Sequence, residues 1–166
     1  MKLKKGWGIC LLILLTAGCS TDPQPQHNTQ LAEIDTELAL LDLNQHQPEQ
    51  ARMHLLDANQ LAMHDPMVLA GEGFYDLAIH ENAAAAVLYQ EAIARAPQQA
   101  DIQDDYGVFL YRTQQFAQAL PYFLKAASNP ENLYAAEAFQ NAAMTELKLG
   151  NQAAAAQYFK AAHWQE

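Results

Sequence analysis

The feature of this sequence that most constrains its fold is a residue pattern that returns about every 34 positions. In the clearest copy, a small residue at Ala119 is followed by an aromatic residue at Phe123 and a second small residue at Ala126. The same spacing occurs 68 and 34 residues earlier and 36 residues later, as Ala51–Leu55–Ala58, Ala85–Tyr89–Ala92 and Ala155–Phe159–Ala162. A chain with such a period consists of copies of one small unit, each of which contacts mainly its neighbours.

A period of this length is typical of tetratricopeptide repeats, in which each unit is a pair of antiparallel helices. Valine and isoleucine, which favour strands, are scarce in the sequence. We therefore predict an all-α tetratricopeptide superhelix of about four helix-turn-helix repeats, at about residues 31–65, 66–99, 100–133 and 134–166. The larger offset of the fourth copy predicts two additional residues in the connection between residues 128 and 134.

Individual helices are predicted from apolar spacing and turn residues. Leu31, Ile34, Leu38 and Leu41 recur at helical spacing and predict an amphipathic first helix. We expect the first helix to end within residues 44–48, and Pro48 suits the first turn of the next helix. The first helix of repeat two is expected at about residues 67–79, with its register open by one residue.

The N-terminus has the parts of a secretory signal. Lysines at positions 2, 4 and 5 precede an apolar run at residues 6–15, which is shorter than the roughly 20 residues of a membrane-spanning helix. The run leads into Thr16-Ala17-Gly18-Cys19, which resembles the lipobox of bacterial lipoproteins. We predict a lipoprotein signal peptide at residues 1–18, with an ordinary cleaved signal as the alternative. The resemblance implies a diacylglyceryl group on the sulfur of Cys19 and an acyl group on its amine.

The residues that follow the lipobox indicate the membrane to which the protein is anchored and the segment that links the anchor to the array. Ser20 stands where aspartate would retain a lipoprotein in the inner membrane, so we expect the periplasmic face of the outer membrane. Residues 19–30 contain no large apolar side chain, and Pro23 and Pro25 lie among several polar residues. This composition predicts a lipidated N-terminus followed by a flexible tether.

The net charge of the chain restricts the kinds of macromolecule that we expect it to bind. Six basic residues face 19 acidic residues once the three N-terminal lysines are set aside, a balance of −13. Such a surface repels phosphate backbones, so we expect no nucleic-acid partner. The simplest alternative is that this charge only maintains solubility.

The residues give little support to catalysis or metal binding. His54 and His64 lie close in sequence to Asp57 and Asp65, but no second group of such residues accompanies them. With Cys10 removed in the signal and Cys19 acylated, no thiol remains. We predict a protein that is not an enzyme, has no small-molecule substrate, and carries no cofactor or metal beyond the covalent lipid.

Protein binding is the better prediction. In such arrays the first helices of successive repeats line a concave groove that holds a peptide or a partner helix. The expected groove residues are Leu40, Leu43, Met67, Phe74, Leu77, Val108 and Tyr111, with Asp101, Asp104 and Arg112 adding charge. The alternative for Leu40, Leu43 and Leu77 is a place in the core between repeats. No capping helix is evident after the fourth repeat, so we expect Phe159 or Trp164 to pack back locally, or a partner to cover that end.

Within the array, a more specific resemblance is found. Residues 104–110 (Asp-Asp-Tyr-Gly-Val-Phe-Leu) resemble the Asn-Asn-Tyr-Gly-x-Phe-Leu signature of the type IV pilus biogenesis lipoproteins, the PilF/PilW family. Residues 132–134 (Asn-Leu-Tyr) and 139–142 (Phe-Gln-Asn-Ala) resemble the next repeat of that family. Two features depart from it: aspartates replace both asparagines, and we count four repeats where the family usually has six.

The resemblance implies the role of a pilotin. Such a protein is a lipid-anchored scaffold that binds the secretin subunit of the type IV pilus machinery, escorts it to the outer membrane and promotes its multimerisation. The alternative is a general periplasmic adaptor lipoprotein that recruits cell-wall or outer-membrane assembly proteins.

Overall fold

The computed structural model describes residues 24–163, with side chains from Gln26 onward. The predicted signal peptide, Cys19 and Trp164 lie outside the described residues. Within residues 24–163 all regular structure is helical: α1 (Gln24–Asn44), α2 (Pro48–Leu61), α3 (Pro66–Ala78), α4 (Asn82–Arg95), α5 (Ala100–Arg112), α6 (Phe116–Ala127), α7 (Ala135–Leu149) and α8 (Gln152–His163). Consecutive helices pack as four pairs, which confirms the predicted all-α array of helix-turn-helix repeats.

The turn inside each pair has the same construction in all four repeats. One residue adopts a left-handed backbone, with φ of 59° at His46, 69° at His80, 64° at Gln114 and 84° at Gly150. The residue that follows donates its N–H to a carbonyl five positions back, as in Gln47 to Asp42 at 2.8 Å. These bonds satisfy carbonyl groups at the end of the first helix and reverse the chain.

The predicted small–aromatic–small pattern forms the centre of the core. Its members in the first three repeats are buried, and in the fourth Ala155 and Ala162 are buried while Phe159 remains partly exposed. Gly107 lies directly over the ring of Phe123, and Gly73 lies over the ring of Tyr89 in the same way. This equivalence settles the register of α3 at the 34-residue spacing.

The third and fourth repeats are joined by a longer connection, as the sequence predicts, but it is three residues longer than the other two connections and not two. It covers residues 128–134, whereas the connections at 62–65 and 96–99 have four residues each. Asn129 Oδ1 accepts the N–H of Glu131 at 2.9 Å. Asn132 Nδ2 donates to the carbonyl of Ala126 at 2.9 Å, and its Oδ1 accepts the N–H of Tyr134 at 2.8 Å. The additional residues therefore form a hydrogen-bonded turn.

The start of α1 differs from the prediction. Residues 24–30 were assigned to the tether, but the helix begins at Gln24. Pro25 lies in the first turn, where its missing N–H costs no helical hydrogen bond. Asn28 and Thr29 lie beside the segment from Leu61 to Pro66. Packing against the α2–α3 connection thus extends the helix into a stretch whose composition alone predicts none.

The packed face of α1 also differs from the expected one. The predicted single apolar face of α1 is not observed: Leu31, Ile34, Leu38 and Leu41 are exposed, and Leu40 and Leu43 lie on another side of the helix. The buried face consists of Ala32, Thr36 and Ala39. A Cβ at Gly71 of α3 would clash with Thr36 Cγ2, so the two helices approach too closely for larger residues on this face. The leucine-rich face is therefore left on the outside.

The substitution Gly107→Ala is expected to destabilise the fold. Its Cβ would lie 2.7 Å from Phe123 Cε1, and this buried ring has little room to move. Such overpacking costs about 1–3 kcal/mol, against a gain of up to about 1 kcal/mol in helix propensity. Urea denaturation followed by circular dichroism measures the change. Gly73→Ala is the matched control, because its Cβ would lie 3.1 Å from Tyr89 and the loss should be smaller. Equal stability of Gly107→Ala and the unsubstituted chain would contradict this packing.

Candidate functional site

The first helices of the four repeats together line a cleft of about 270 Å³, which we call the groove. Its lining comes from α1, α3, α5, α7 and the long connection: Glu37, Leu40, Met67, Asp101, Asp104, Asp105, Asn132, Tyr134 and Glu137. A second depression of about 350 Å³ lies between the C-terminal halves of α1, α3 and α5, lined by Leu43, Asn44, His46, Phe74, Ala78 and Arg112. The helices that the repeat pattern assigns to the concave side therefore do form the open surface.

Carboxylates dominate the groove around α5. Burial raises the pKa of Asp105 to about 7, and the negative charges of Asp104, Asp101 and Glu137 add to the effect. Burial also raises the pKa of Asp104 to about 6, although Asn141 Nδ2 donates to its two oxygens at 3.1 and 3.3 Å and favours the charged form. No basic side chain lines the groove within the part of the chain described. A cationic group entering there would relieve the repulsion.

The second depression has a different character. The guanidinium carbon of Arg112 lies 5.7 Å from the centre of the Phe74 ring, within the range of a cation–π contact. Phe74 is partly exposed, as is Met67, which lies about two helical turns earlier on α3. These side chains give the concave side an apolar region next to its acidic one.

The predicted groove residues are divided between the groove, the second depression and the core. Leu40 and Met67 line the groove, and Leu43 and Phe74 line the second depression. Val108 and Tyr111 are partly buried against the core, with the Tyr111 ring edge-on to Phe116 at 5.2 Å.

Leu77 requires a correction. It is buried in the main core cluster with Tyr89 and Leu110, so it is not available to a ligand in the groove. The alternative for this residue, a place in the core between repeats, is the one observed. Leu77 lies near the end of α3, where its side chain packs between helices.

Five groove residues were not predicted from the sequence: Glu37, Asp105, Asn132, Tyr134 and Glu137. Glu137 follows Asp101 by the same 36-residue offset that relates the third and fourth repeats, so position alone could have identified it. Tyr134 reaches the groove because the long connection ends there, and it is largely exposed. No repeat in the sequence offers an equivalent for it.

The two histidines that were considered as metal ligands lie outside the groove and outside the second depression. The two ring nitrogens of His54 lie 3.7 Å from carboxylate oxygens of Asp35 and Asp42, so His54 connects α2 to α1. His64 Nδ1 lies 3.4 Å from Glu91 Oε1. Between residues 24 and 163 no group of three or more potential ligand side chains could hold a metal ion. None of the helices in that range is long and apolar enough to cross a membrane.

Replacing the most perturbed carboxyl should stabilise the protein in a pH-dependent way. Because the pKa of Asp105 is raised in the folded state, its ionisation costs stability above about pH 7, and the cost disappears below about pH 4. Asp105→Asn should therefore increase the free energy of unfolding at pH 8 by on the order of 1–3 kcal/mol and change it little at pH 4. Urea denaturation at both pH values tests this, with the exposed Asp57→Asn as control. An equal gain at both pH values would contradict the assigned electrostatics.

Comparisons with known proteins agree with this architecture. No protein-family model and no curated protein matches the sequence. Among solved structures, PilF of Pseudomonas aeruginosa superposes with a TM-score of 0.75 at 21% identity, over 84% of this chain and 63% of PilF. PilW, described as a widely conserved type IV pilus biogenesis factor, gives 0.70 at 25% identity, over 80% of this chain and 61% of PilW.

A further solved structure extends the likeness beyond pilus proteins. MamA gives a TM-score of 0.62 at 22% identity, over 87% of this chain and 80% of MamA. The chain spans less than two thirds of the length of PilF and PilW. Its residues 24–163 form an eight-helix tetratricopeptide array that shares its fold with PilF, PilW and MamA.

Proposed function

We propose that this protein is an outer-membrane lipoprotein scaffold for type IV pilus biogenesis that binds the pilus secretin and promotes its localisation and multimerisation. The observation that carries the proposal is the preformed groove, where the partly exposed Leu40 and Met67 lie beside the carboxylates of α5. The fold that this chain shares with PilF and PilW also supports a role in type IV pilus biogenesis. A surface of this kind binds a polypeptide segment and requires no catalytic group.

The character of the groove defines the segment that fits it. A lysine or arginine would enter beside Asp101, Asp104 and Glu137, where it would offset the repulsion between carboxylates. An apolar side chain would contact Phe74 in the second depression. Binding of such a segment should weaken at high salt and below about pH 6, where Asp104 and Asp105 take up protons.

The role in secretin assembly is tested by deletion and complementation. Deleting the gene should remove the heat-stable secretin multimers from outer-membrane fractions, and the unsubstituted chain should restore them. Phe74→Ala should restore them at least about tenfold less well if this ring is an interface hot spot. Val87→Ala is the matched control, because Val87 is an exposed apolar residue of α4 that lines neither depression. Unchanged multimers after deletion would refute the proposal.

The lipid anchor is tested separately. Cys19→Ser should abolish labelling with radioactive palmitate, because serine offers no sulfur for the diacylglyceryl thioether. The folded array should be unaffected, since the described helices begin at Gln24. Circular dichroism of the variant provides that control. Labelling that persists in Cys19→Ser would show that the lipobox assignment is wrong.

A general periplasmic adaptor is the second candidate. It is favoured by Asp104 and Asp105, which stand where the PilF/PilW signature has two asparagines and make the groove acidic. A groove of different charge selects a different ligand. Under this alternative, the Phe74→Ala variant would lose a periplasmic partner while secretin multimers stay unchanged.

A further inference from the structure

The outward face of α1 is an apolar surface that nothing in residues 24–163 covers. We call it the α1 stripe, and it consists of Leu31, Ile34, Leu38 and Leu41. Their spacing places all four on one side of the helix. Ile34 and Leu41 are each 52% exposed.

The later repeats show what this face of a first helix normally contacts. The 34-residue period relates Ile34 to Val68 and Ile102, which are 1% and 0% exposed. Val68 packs in one cluster with Ala32 and Ala58 of the preceding repeat. The position of Ile34 is therefore buried wherever another repeat precedes it.

The counterparts of Leu41 and Leu38 also contact the preceding repeat. Leu41 corresponds to Phe109, whose ring lies 5.2 Å from that of Tyr89 in the preceding repeat. Leu38 corresponds to Glu72, which accepts a hydrogen bond from Asn59 Nδ2 of the preceding repeat at 2.6 Å. The α1 stripe thus has the position and chemistry of a repeat-stacking surface whose contact would be the second helix of a repeat.

The opposite end of the array presents the complementary half of this contact. Phe159 of α8 occupies the position of Tyr89 and Phe123, yet it stays partly exposed while both of those rings are buried. Leu147 of α7 is 44% exposed, whereas the equivalent Leu77 is 4% exposed. In the second repeat these positions are covered by the third repeat, and within the described residues nothing takes its place beyond α8.

The charges of the two ends differ. Helix α1 contains no lysine or arginine, and its acidic residues are Glu33, Asp35, Glu37 and Asp42. The last turns of α7 and α8 carry Lys148 and Lys160, with Glu146 as the acidic residue of the same turn of α7. Complementary potentials favour docking of one end on the other, whereas two α1 ends would repel each other. An anionic lipid surface would be repelled by α1 in the same way.

We infer that the α1 stripe of one copy docks on the α7–α8 end of a second copy, so that repeat stacking continues from chain to chain. Leu41 then takes the place of Phe109, and Phe159 of the other copy takes the place of Tyr89. The contact is head-to-tail and does not close on itself, so it produces chains of variable length. Such chains present several grooves in a row and strengthen binding to a multimeric partner. The inference stands independently of the secretin proposal.

Chemical cross-linking of the full-length chain in cells tests the contact. Leu41→Cys and Phe159→Cys are expressed together with different epitope tags and treated with a short, membrane-permeant bismaleimide. A product carrying both tags is expected, well above the background that Cys10 and Cys19 give in the unsubstituted chain. Replacing Leu41→Cys by Val87→Cys is the matched control, because Val87 is exposed but lies on neither end. That pair should give only background.

A second part of the experiment introduces a charged residue into the α1 stripe. Adding Ile34→Glu to the Leu41→Cys chain should lower the two-tag product at least about tenfold, because a buried carboxylate opposes stacking. Leu56→Glu on α2, at a similarly exposed leucine, should leave it unchanged. Circular dichroism shows whether both variants fold.

Three results would overturn the inference in folded chains. The first is a two-tag product no stronger than background. The second is a Leu41→Cys chain that cross-links to another Leu41→Cys chain, which would indicate a symmetric contact. The third is cross-linking of the stripe only to a different protein or to residues 1–23 of its own chain.

Discussion

The whole array depends on the contact between a small residue of one helix and a ring of the next. Gly107 lies against the ring of Phe123, and Gly73 lies against the ring of Tyr89. At these points only the aromatic ring separates the backbones of the two paired helices. The same Tyr89 ring reaches the following repeat, where Phe109 lies 5.2 Å away. One side chain therefore sets the spacing within a repeat and the stacking between repeats. This dual use explains why the pattern recurs so strictly in the sequence.

That recurrence made most of the fold predictable. Because each unit repeats the same contacts, the order of the helices, the turns and the insertion at residues 128–134 follow from spacing alone. The packed face of α1 does not. Hydrophobic periodicity marks the largest apolar side chains, whereas the close approach at Gly71 selects Ala32, Thr36 and Ala39. At an end of a repeat array, the most apolar face of a helix is the one that stacks on a neighbouring unit, and it need not be the one that packs within its own pair.

The candidate site was predictable in position and less so in chemistry. Repeat position alone predicts that Leu40 and Met67 lie on the concave side, and both line the groove. The raised pKa values of Asp104 and Asp105 come from burial and from neighbouring carboxylates, among them Glu137 of the fourth repeat, and a position within one repeat does not reveal either cause. Leu77 illustrates the same limit, since a repeat position on the concave side does not show whether the next helix covers it.

Helix α1 contributes to both of the proposed binding surfaces. Its small face packs inside the array, Glu37 and Leu40 line the groove, and Leu38 and Leu41 form part of the outer stripe. A second copy stacked on that stripe would bring its own last repeat next to α1, which extends the concave side without altering any contact inside the array. Since every stacked repeat adds a first helix to the same side, the length of the groove would then depend on the number of copies in the chain. A partner with several identical subunits, as a multimer has, would engage such a surface through repeated weak contacts instead of one strong one.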